Sequence, residues 1–248
     1  MKFIVHIFCL FPFLTAYSLH AEERAETLTV VELFTSQGCN ACPPADNILK
    51  ELAQDESLLA LSYAVDYWDY LGWKDTFSDP ENTKRQKKYN KSLGKNRVYT
   101  PQMIIQGQKD AVGSHASDIQ EKILWAKNLA PEGPWLDFRA MGHMLSLSIG
   151  ADKLRTEKTV PSTATVWMVC YDREKSIHIK GGELKGRVKS YHNIVRALRR
   201  MGSWMGQEIK LTLEKRDLYE EDCSSYAVIL QQDETGPILA AARLENAP

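Results

Sequence analysis

The sequence predicts an α/β domain followed by a β-rich domain, and three observations lead to this fold class. Residues 28–129 alternate between strand and helix patterns. A run of prolines and glycine at 131–134 then punctuates the chain. Beyond it, apolar and polar residues alternate in short segments, as in strands that face a core on one side. We therefore expect the two domains to span residues 26–130 and 134–248.

The N-terminal segment is typical of an export signal. Lys2 precedes an uncharged apolar run, Phe3–Leu14, and small residues follow as far as Ala21. The apolar run is too short to span a bilayer as a stable helix. We expect residues 1–21 to be a signal peptide, cleaved after Ser18 or after Ala21. The mature protein should then be periplasmic or secreted, with no stable membrane insertion.

The elements of the first domain follow from periodicity and composition. Leu28–Thr35 is rich in β-branched and apolar residues and predicts a buried strand. Ala45–Leu52 places apolar residues at helical spacing, and Leu58–Asp66 predicts a second buried strand. Together they form a βαβ unit with Cys39 and Cys42 in its first turn. The remaining predicted elements are a basic helix at 83–93, short strands at 103–107 and 110–113, and an amphipathic helix at 118–129.

The second domain is predicted to be a β-sandwich-like arrangement of antiparallel strands. Asn193–Met201 fits both a helix and a strand, and the sequence leaves that choice open. The predicted strands are Met144–Ile149, Ala164–Tyr171, Ile177–Lys180, Ile209–Leu213 and Tyr226–Gln231.

Charge and cysteine content narrow the function classes. The chain carries 31 Lys and Arg against 32 Asp and Glu, so it lacks the basic surplus of a nucleic-acid binder. Loss of Cys9 with the signal leaves four cysteines, and an even number suits an oxidising compartment. We hypothesise that Cys170 and Cys223 form a disulfide that braces the second domain, the alternative being two isolated buried thiols.

The pair Cys39–Cys42 has the spacing and position of reactive thiols. A cysteine at a helix start lies near unsatisfied N–H groups and the positive end of the helix dipole, which favour the thiolate. Cys39, on the loop side, should be the exposed nucleophile, and Cys42 should resolve the mixed disulfide. A permanent local disulfide would stabilise little because its loop is so short. A zinc site would need a second ligand pair, and Cys170 and Cys223 lack that spacing.

The motifs resemble the thioredoxin fold and, more closely, one family of proteins with a thioredoxin-like fold. The βαβ unit with its cysteine pair, together with Val98–Ile105, resembles the thioredoxin fold. Four signatures more closely resemble an exported bacterial thioredoxin-like family catalogued as domain of unknown function 1223. They are Phe34–Cys39, Cys42–Asp46, Asp66–Asp69 and Tyr99–Gln102.

The resemblance implies roles for individual residues. In the thioredoxin fold the matching proline is cis and lies beside the cysteines, so Pro101 with Thr100 and Tyr99 should hold an extended substrate. Glu32 falls where that family carries a buried acid that relays protons to the second cysteine. Without a cationic partner, the pKa of Glu32 should be raised by burial. The aromatic loop containing Trp68 either floors a substrate groove or packs the basic helix onto the domain.

The sequence therefore predicts an exported thiol–disulfide oxidoreductase that needs no cofactor. Its partners should be a protein or small-thiol disulfide substrate and an unknown redox partner. Two alternatives belong to other classes: a copper-handling protein with Cys39, Cys42 and His115 as ligands, and a non-catalytic binding module with the same fold. The dipeptide between the cysteines, Asn40-Ala41, assigns neither reductant nor oxidant.

Overall fold

The computed structural model describes residues 27–129, 134–150, 163–218 and 223–244. The predicted signal peptide with Cys9, and linker residues 131–133, lie outside these ranges. Within them, no helix combines the length and the apolar character needed to cross a bilayer. The strands are β1 (Thr29–Thr35), β2 (Leu58–Ala64), β3 (Gln102–Ile105), β4 (Lys109–Val112), β5 (Trp135–Met141), β6 (Met144–Gly150), β7 (Ala164–His178), β8 (Val188–Trp204), β9 (Ile209–Glu214), β10 (Ser225–Gln232) and β11 (Ile238–Arg243). The helices are α1 (Pro43–Leu52), α2 (Pro80–Ser92), α3 (Ala116–Lys127) and α4 (Lys215–Leu218), with a 3₁₀ turn at Asp69–Leu71.

The predicted βαβ unit is confirmed, since β1 and β2 pair in parallel around α1. The helix begins at Pro43, and Cys42 is its N-cap residue. Prolines suit this position because the first helical N–H groups have no partner in the helix. Helix α2 begins earlier than predicted, at Pro80, because Asp79 caps it by accepting a hydrogen bond from the Glu81 N–H at 2.8 Å.

A single large sheet runs through both halves of the chain. Its eight strands have the order β11-β10-β7-β8-β2-β1-β3-β4. The halves meet where β8 runs parallel to β2, at the pair Ser62 and Ile194. Beside this pair Asn193 has a positive φ of 47°, and its side-chain amide donates to the carbonyl of Ala60 at 2.8 Å. The mixed α/β architecture therefore includes a strand junction that the sequence did not predict.

The second sheet is antiparallel, with strand order β5-β6-β9. Its inward residues, such as Phe138 and Leu147, share a buried cluster with Met168, Val228 and other residues of the large sheet. Two layers thus enclose one core in this half.

Three strand assignments differ from the sequence prediction, and one that the sequence left open is resolved. Ile177–Lys180 is not a separate strand, because β7 continues to His178. The ambiguous segment Asn193–Met201 belongs to β8, where pairing with β7 and β2 outweighs its helical spacing. Strands β5 and β11 were missed. The first does alternate in its burial, whereas β11 is rich in alanine, which has low β propensity.

The two faces of β1 pack against different layers, which positions the site. Val31 and Leu33 lie in a cluster with residues of α1 and α3. Val30 and Phe34 lie in another cluster with Tyr89 of α2. Because strand side chains alternate, Glu32 shares the α2 face.

Candidate functional site

Cys39 and Cys42 form a disulfide at the carboxyl end of β1, with their Cα atoms 5.5 Å apart. The Cys39 N–H donates to the carbonyl of Ser36 at 3.1 Å, and the Cys42 N–H donates to the carbonyl of Cys39 at 3.2 Å. Both cysteines are buried, with 1% and 0% of their surface exposed. The expectation of an exposed Cys39 is therefore wrong for this disulfide form, because the turn presents Asn40 and Ala41 to solvent and holds both sulfurs behind them.

The Thr100–Pro101 peptide bond is cis, as the resemblance implied, and it lies beside the disulfide. The carbonyl oxygen of Thr100 is 3.9 Å from the sulfur of Cys39. On the other side, the Gly113 N–H donates to the Pro101 carbonyl at 2.9 Å. A β-carbon at Gly113 would come within 2.9 Å of Pro101, so glycine permits this close approach.

Trp68 closes over the same corner. Its indole N–H donates to the Thr100 hydroxyl at 2.8 Å. A β-carbon at Gly38 would lie 3.0 Å from the β-carbon of Trp68, so the missing side chain before Cys39 makes room for this tryptophan. Thr100 consequently contacts Cys39 through its carbonyl and Trp68 through its hydroxyl.

Tyr99 is anchored away from this corner. Its hydroxyl donates to Asp110 on β4 at 3.1 Å, and its carbonyl accepts from the Gln86 side chain at 2.8 Å. The structure brings Thr100, Pro101 and Trp68 to the disulfide. Tyr99 does not contact the disulfide but anchors the chain segment that leads to Thr100.

The loop after the 3₁₀ turn holds the strand end that precedes Cys39. The Gln37 N–H donates to the carboxylate of Asp75 at 2.7 Å, and the Trp73 indole donates to the Gln37 side chain at 2.8 Å. Burial raises the pKa of Asp75 to about 6. The aromatic loop therefore packs directly against the cysteine turn, and it also contacts α2. Its role as the floor of a substrate groove stays a prediction.

Asp46 is a second buried acid next to the pair, to which the sequence gave no role. It lies four residues after Cys42 on α1, and its side chain accepts a hydrogen bond from the Thr35 hydroxyl at 2.8 Å. The Asp46 backbone N–H donates to the Cys42 carbonyl at 3.1 Å, so the two residues face each other across the first turn of α1. Burial, with a smaller contribution from Asp75, raises the pKa of Asp46 to about 7, although Thr35 and Lys189 oppose this shift. An acidic residue in the first helical turn after a cysteine pair is the sequence signal that could have identified Asp46.

Glu32 has a different environment from the one expected. Arg85 of α2 donates to both of its carboxylate oxygens, at 2.8 and 3.2 Å, and the Tyr89 hydroxyl donates to the same group. Both charged side chains are almost fully buried. The expectation that Glu32 lacks a cationic partner is therefore wrong. Arg85 also donates to Gln231 of β10 at 3.0 Å, so this network joins the two halves of the chain.

The copper ligand set is not assembled. His115 is exposed at the N-cap of α3, while Cys39 and Cys42 are joined to each other. No cluster of three or more His, Cys, Asp or Glu side chains suited to a metal occurs among the residues that the structure describes.

The other predicted disulfide is confirmed. Cys170 of β7 and Cys223, just before β10, have Cα atoms 5.7 Å apart and are bonded. The bridge lies at the edge of the core shared by the two sheets.

Comparison with known proteins gives a family and solved structures of similar fold. The model of a family described as protein of unknown function (DUF1223) matches residues 30–231. The solved protein AGR_C_4864 of Agrobacterium tumefaciens is 32% identical, with a TM-score of 0.77 over 90% of this chain and 97% of that one. HBP35 of Porphyromonas gingivalis is similar in fold alone, at 13% identity and a TM-score of 0.58, over 88% of this chain and 74% of its own. No curated protein matches.

Proposed function

The chain belongs to DUF1223, a family of proteins of unknown function, and we propose that it catalyses thiol–disulfide exchange through Cys39 and Cys42. The observation that carries the proposal is the 3.9 Å approach of the Thr100 carbonyl to the Cys39 sulfur. It places a peptide backbone, able to pair with an extended client, directly beside a sulfur that can exchange.

The proposal includes a thioredoxin-like identity for the first half of the chain. Its support is the parallel β1–α1–β2 unit with the disulfide at the start of α1, the β3–β4 hairpin antiparallel to β1, and α3 packed on the α1 face. Pro101 begins the turn into β3, as the thioredoxin resemblance requires.

The proposed exchange proceeds through two successive attacks by thiolates. In the reduced protein the Cys39 thiolate attacks one sulfur of a client disulfide, whose S–S bond breaks and releases the other sulfur as a thiolate. Cys42 then attacks the Cys39 sulfur, forms the Cys39–Cys42 disulfide and releases the second client thiolate. The client gains two electrons and the protein loses two, and the reverse direction uses the same bonds. Either direction requires Trp68 or the cysteine turn to open, because both sulfurs are buried.

We assign Asp46 the proton transfer that resolution requires. Cys42 must lose its proton before it attacks, and Asp46 is the acid that follows it on α1 with a pKa near neutrality. Glu32 is a poorer candidate because its carboxylate is held by Arg85 on the opposite face of the sheet.

We also propose that the protein works after export, in the periplasm or outside the cell. The support is the signal-like segment before Glu22 and the second disulfide, Cys170–Cys223, which is of the kind that persists in oxidising compartments. Its substrates would be protein or small-thiol disulfides, renewed by a separate redox partner.

Trapping tests the proposed exchange. Cys42→Ser should accumulate mixed disulfides with clients, because nothing then displaces the client from Cys39. Cys39→Ser should accumulate far fewer. Both variants are expressed with the native signal, quenched with acid, and compared on gels with and without reductant. A Cys42→Ser variant that traps no more than Cys39→Ser would refute the proposal, and tight copper binding lost with either cysteine would favour the copper-handling alternative.

A further inference from the structure

A basic pocket lies at the C-terminal end of α2. Four cationic residues, Lys87, Lys91, Lys95 and Arg97, line a volume of about 390 Å³. All four side chains are exposed, so the pocket is an open depression on the surface. The chain as a whole is almost neutral, so this concentration of one charge is local.

The fold brings these side chains together through one turn. Gly94 has a positive φ of 68° directly after α2, and the Lys95 N–H donates back to the Asn90 carbonyl at 2.7 Å. This left-handed helix end reverses the chain, so that Lys95 and Arg97 face the last turns of the helix.

In the part of the chain that the structure describes, three of the four cations that line the pocket lack the carboxylate partners that other lysines of α2 have. Lys84 pairs with Glu81 and Lys88 pairs with Glu234. Within the described ranges no carboxylate pairs with Lys87, Lys91 or Arg97, whereas Lys95 pairs with Asp110 at 3.0 Å. Lys87 and Lys91 are four residues apart, and like charges at this spacing destabilise a helix. The helix dipole accounts for Lys91 in the last turn, but it does not account for Lys87.

The pocket is continuous with the segment that holds the proposed substrate. Val98 lines the pocket and precedes Thr100 by two residues. Two residues span at most about 7 Å. The Thr100 carbonyl is 3.9 Å from the Cys39 sulfur, and the intervening Tyr99 is fixed by Gln86 and Asp110. An extended client advances about 3.3 Å per residue, so residues about three to five positions from its reacting cysteine reach the pocket.

We propose that the basic pocket binds an acidic segment of the client and so selects proteins that carry Asp or Glu near the disulfide they exchange. This inference rests on the proposed function and adds the class of substrate to it. The Lys and Arg side chains attract the segment at long range and pair with its carboxylates once Cys39 and the client sulfur meet.

The test uses two matched peptides, each joined as a mixed disulfide to a chromogenic thiol. One carries glutamates three to five residues from its cysteine on both sides, and the other carries glutamines. Cys39 of the reduced protein attacks the peptide sulfur, the coloured thiolate leaves, and Cys42 then displaces the peptide thiolate. We expect the acidic peptide to react about tenfold faster at low ionic strength, because two or three charge pairs contribute about 1.4 kcal/mol in total. High salt should remove most of this preference.

A matched pair of variants locates the effect. Lys87→Gln/Lys91→Gln should reduce the preference to about twofold, since it removes the two unpaired helix cations. Lys84→Gln/Lys88→Gln removes the same charge at the same spacing from the same helix and should retain the preference. Equal preferences in the two double variants would overturn the inference, even if both peptides exchange rapidly.

Binding without chemistry separates this inference from the proposed function. Peptides with serine in place of cysteine are followed by fluorescence anisotropy on the oxidised protein. Binding of the acidic peptide that is lost in Lys87→Gln/Lys91→Gln supports the pocket, even if neither cysteine peptide exchanges and the oxidoreductase proposal fails. Equal binding of the glutamate and glutamine peptides overturns the inference, as does displacement of the acidic peptide by millimolar inorganic phosphate, which would indicate a small-anion site.

Discussion

At the scale of single residues, we expect Asp46 to determine how the proposed exchange depends on pH. Burial raises the pKa of its carboxyl to about 7, so it accepts a proton from Cys42 only when it is itself ionised. We expect the resolving step to accelerate with pH through about 7. Asp46→Asn should flatten this rise and slow resolution at pH 8 by about a hundredfold, the lower range for general-base catalysis. Single-turnover release of a client thiol between about pH 5 and 9 measures it. Asp75→Asn is the control: it should keep the rise and move it slightly below pH 7, because Asp75 makes a smaller contribution to the raised pKa of Asp46.

The same pKa predicts a pH dependence of stability. The folded pKa of Asp46 lies above its ordinary value of 3.8, so the folded state holds a proton that the unfolded state has lost. The free energy of unfolding should therefore fall as pH rises from about 4 to about 7, by about 4 kcal/mol from this group, and then level off. Urea titrations should show Asp46→Asn without this part of the fall. An identical pH dependence in wild type and variant would contradict the assigned pKa.

Glu32 and Arg85 should behave as a structural pair. Glu32→Gln leaves the Arg85 guanidinium buried without a counter-charge, which should cost about 3–5 kcal/mol of unfolding free energy. Adding Arg85→Met to Glu32→Gln should recover most of that loss. Denaturation of both single variants and the double variant gives the coupling energy. An undiminished stability in Glu32→Gln, together with slowed exchange, would instead restore the relay role implied by the resemblance.

At the scale of elements, the loop that carries Trp68 packs beside the disulfide, and we expect it to control access to the two sulfurs. Its indole is hydrogen-bonded to Thr100, beside which the Cys39 sulfur is buried. Trp68→Ala should open this corner and increase the rate of disulfide reduction by a small thiol about tenfold, the effect of removing roughly 1.4 kcal/mol of closing interactions. Tyr70→Ala, in the same loop but 79% exposed, should leave the rate unchanged. Free-thiol titration over time measures both, and equal rates would show that Trp68 does not cover the sulfurs.

Some elements of the fold and the site could be predicted from the sequence, and others could not. The strands and helices around Cys39 and Cys42 followed from periodicity, because each buries one regular face. The cysteine pair and Pro101 were identifiable from local motifs. Arg85 was not, since its burial depends on Glu32 and Gln231, which lie far from it in the chain. The strand identity of Asn193–Met201 likewise depends on neighbours that only the folded sheet supplies.

At the scale of the whole molecule, the bridge between Cys170 and Cys223 should be the larger covalent contribution to stability. It closes a sequence separation of 53 residues, against 3 for the pair Cys39–Cys42. Chain entropy gives about 4 kcal/mol for the longer loop and about 1.5 kcal/mol for the shorter one. Cys170→Ala/Cys223→Ala should accordingly lower the urea midpoint more than Cys39→Ser/Cys42→Ser. The reverse order would show that the longer bridge adds little beyond the packing around it.

The junction between β2 and β8 has a consequence for the order of assembly. The Asn193 side chain and the Ala60 carbonyl that meet there are 133 residues apart, whereas β1 and β2 are separated only by α1 and short turns. Closing the longer loop costs more chain entropy, so the βαβ unit should form early in refolding and β8 should dock late. Until β8 docks, the outer edge of β2 exposes unpaired backbone groups and can pair with another chain. Refolding yield should therefore fall as protein concentration rises.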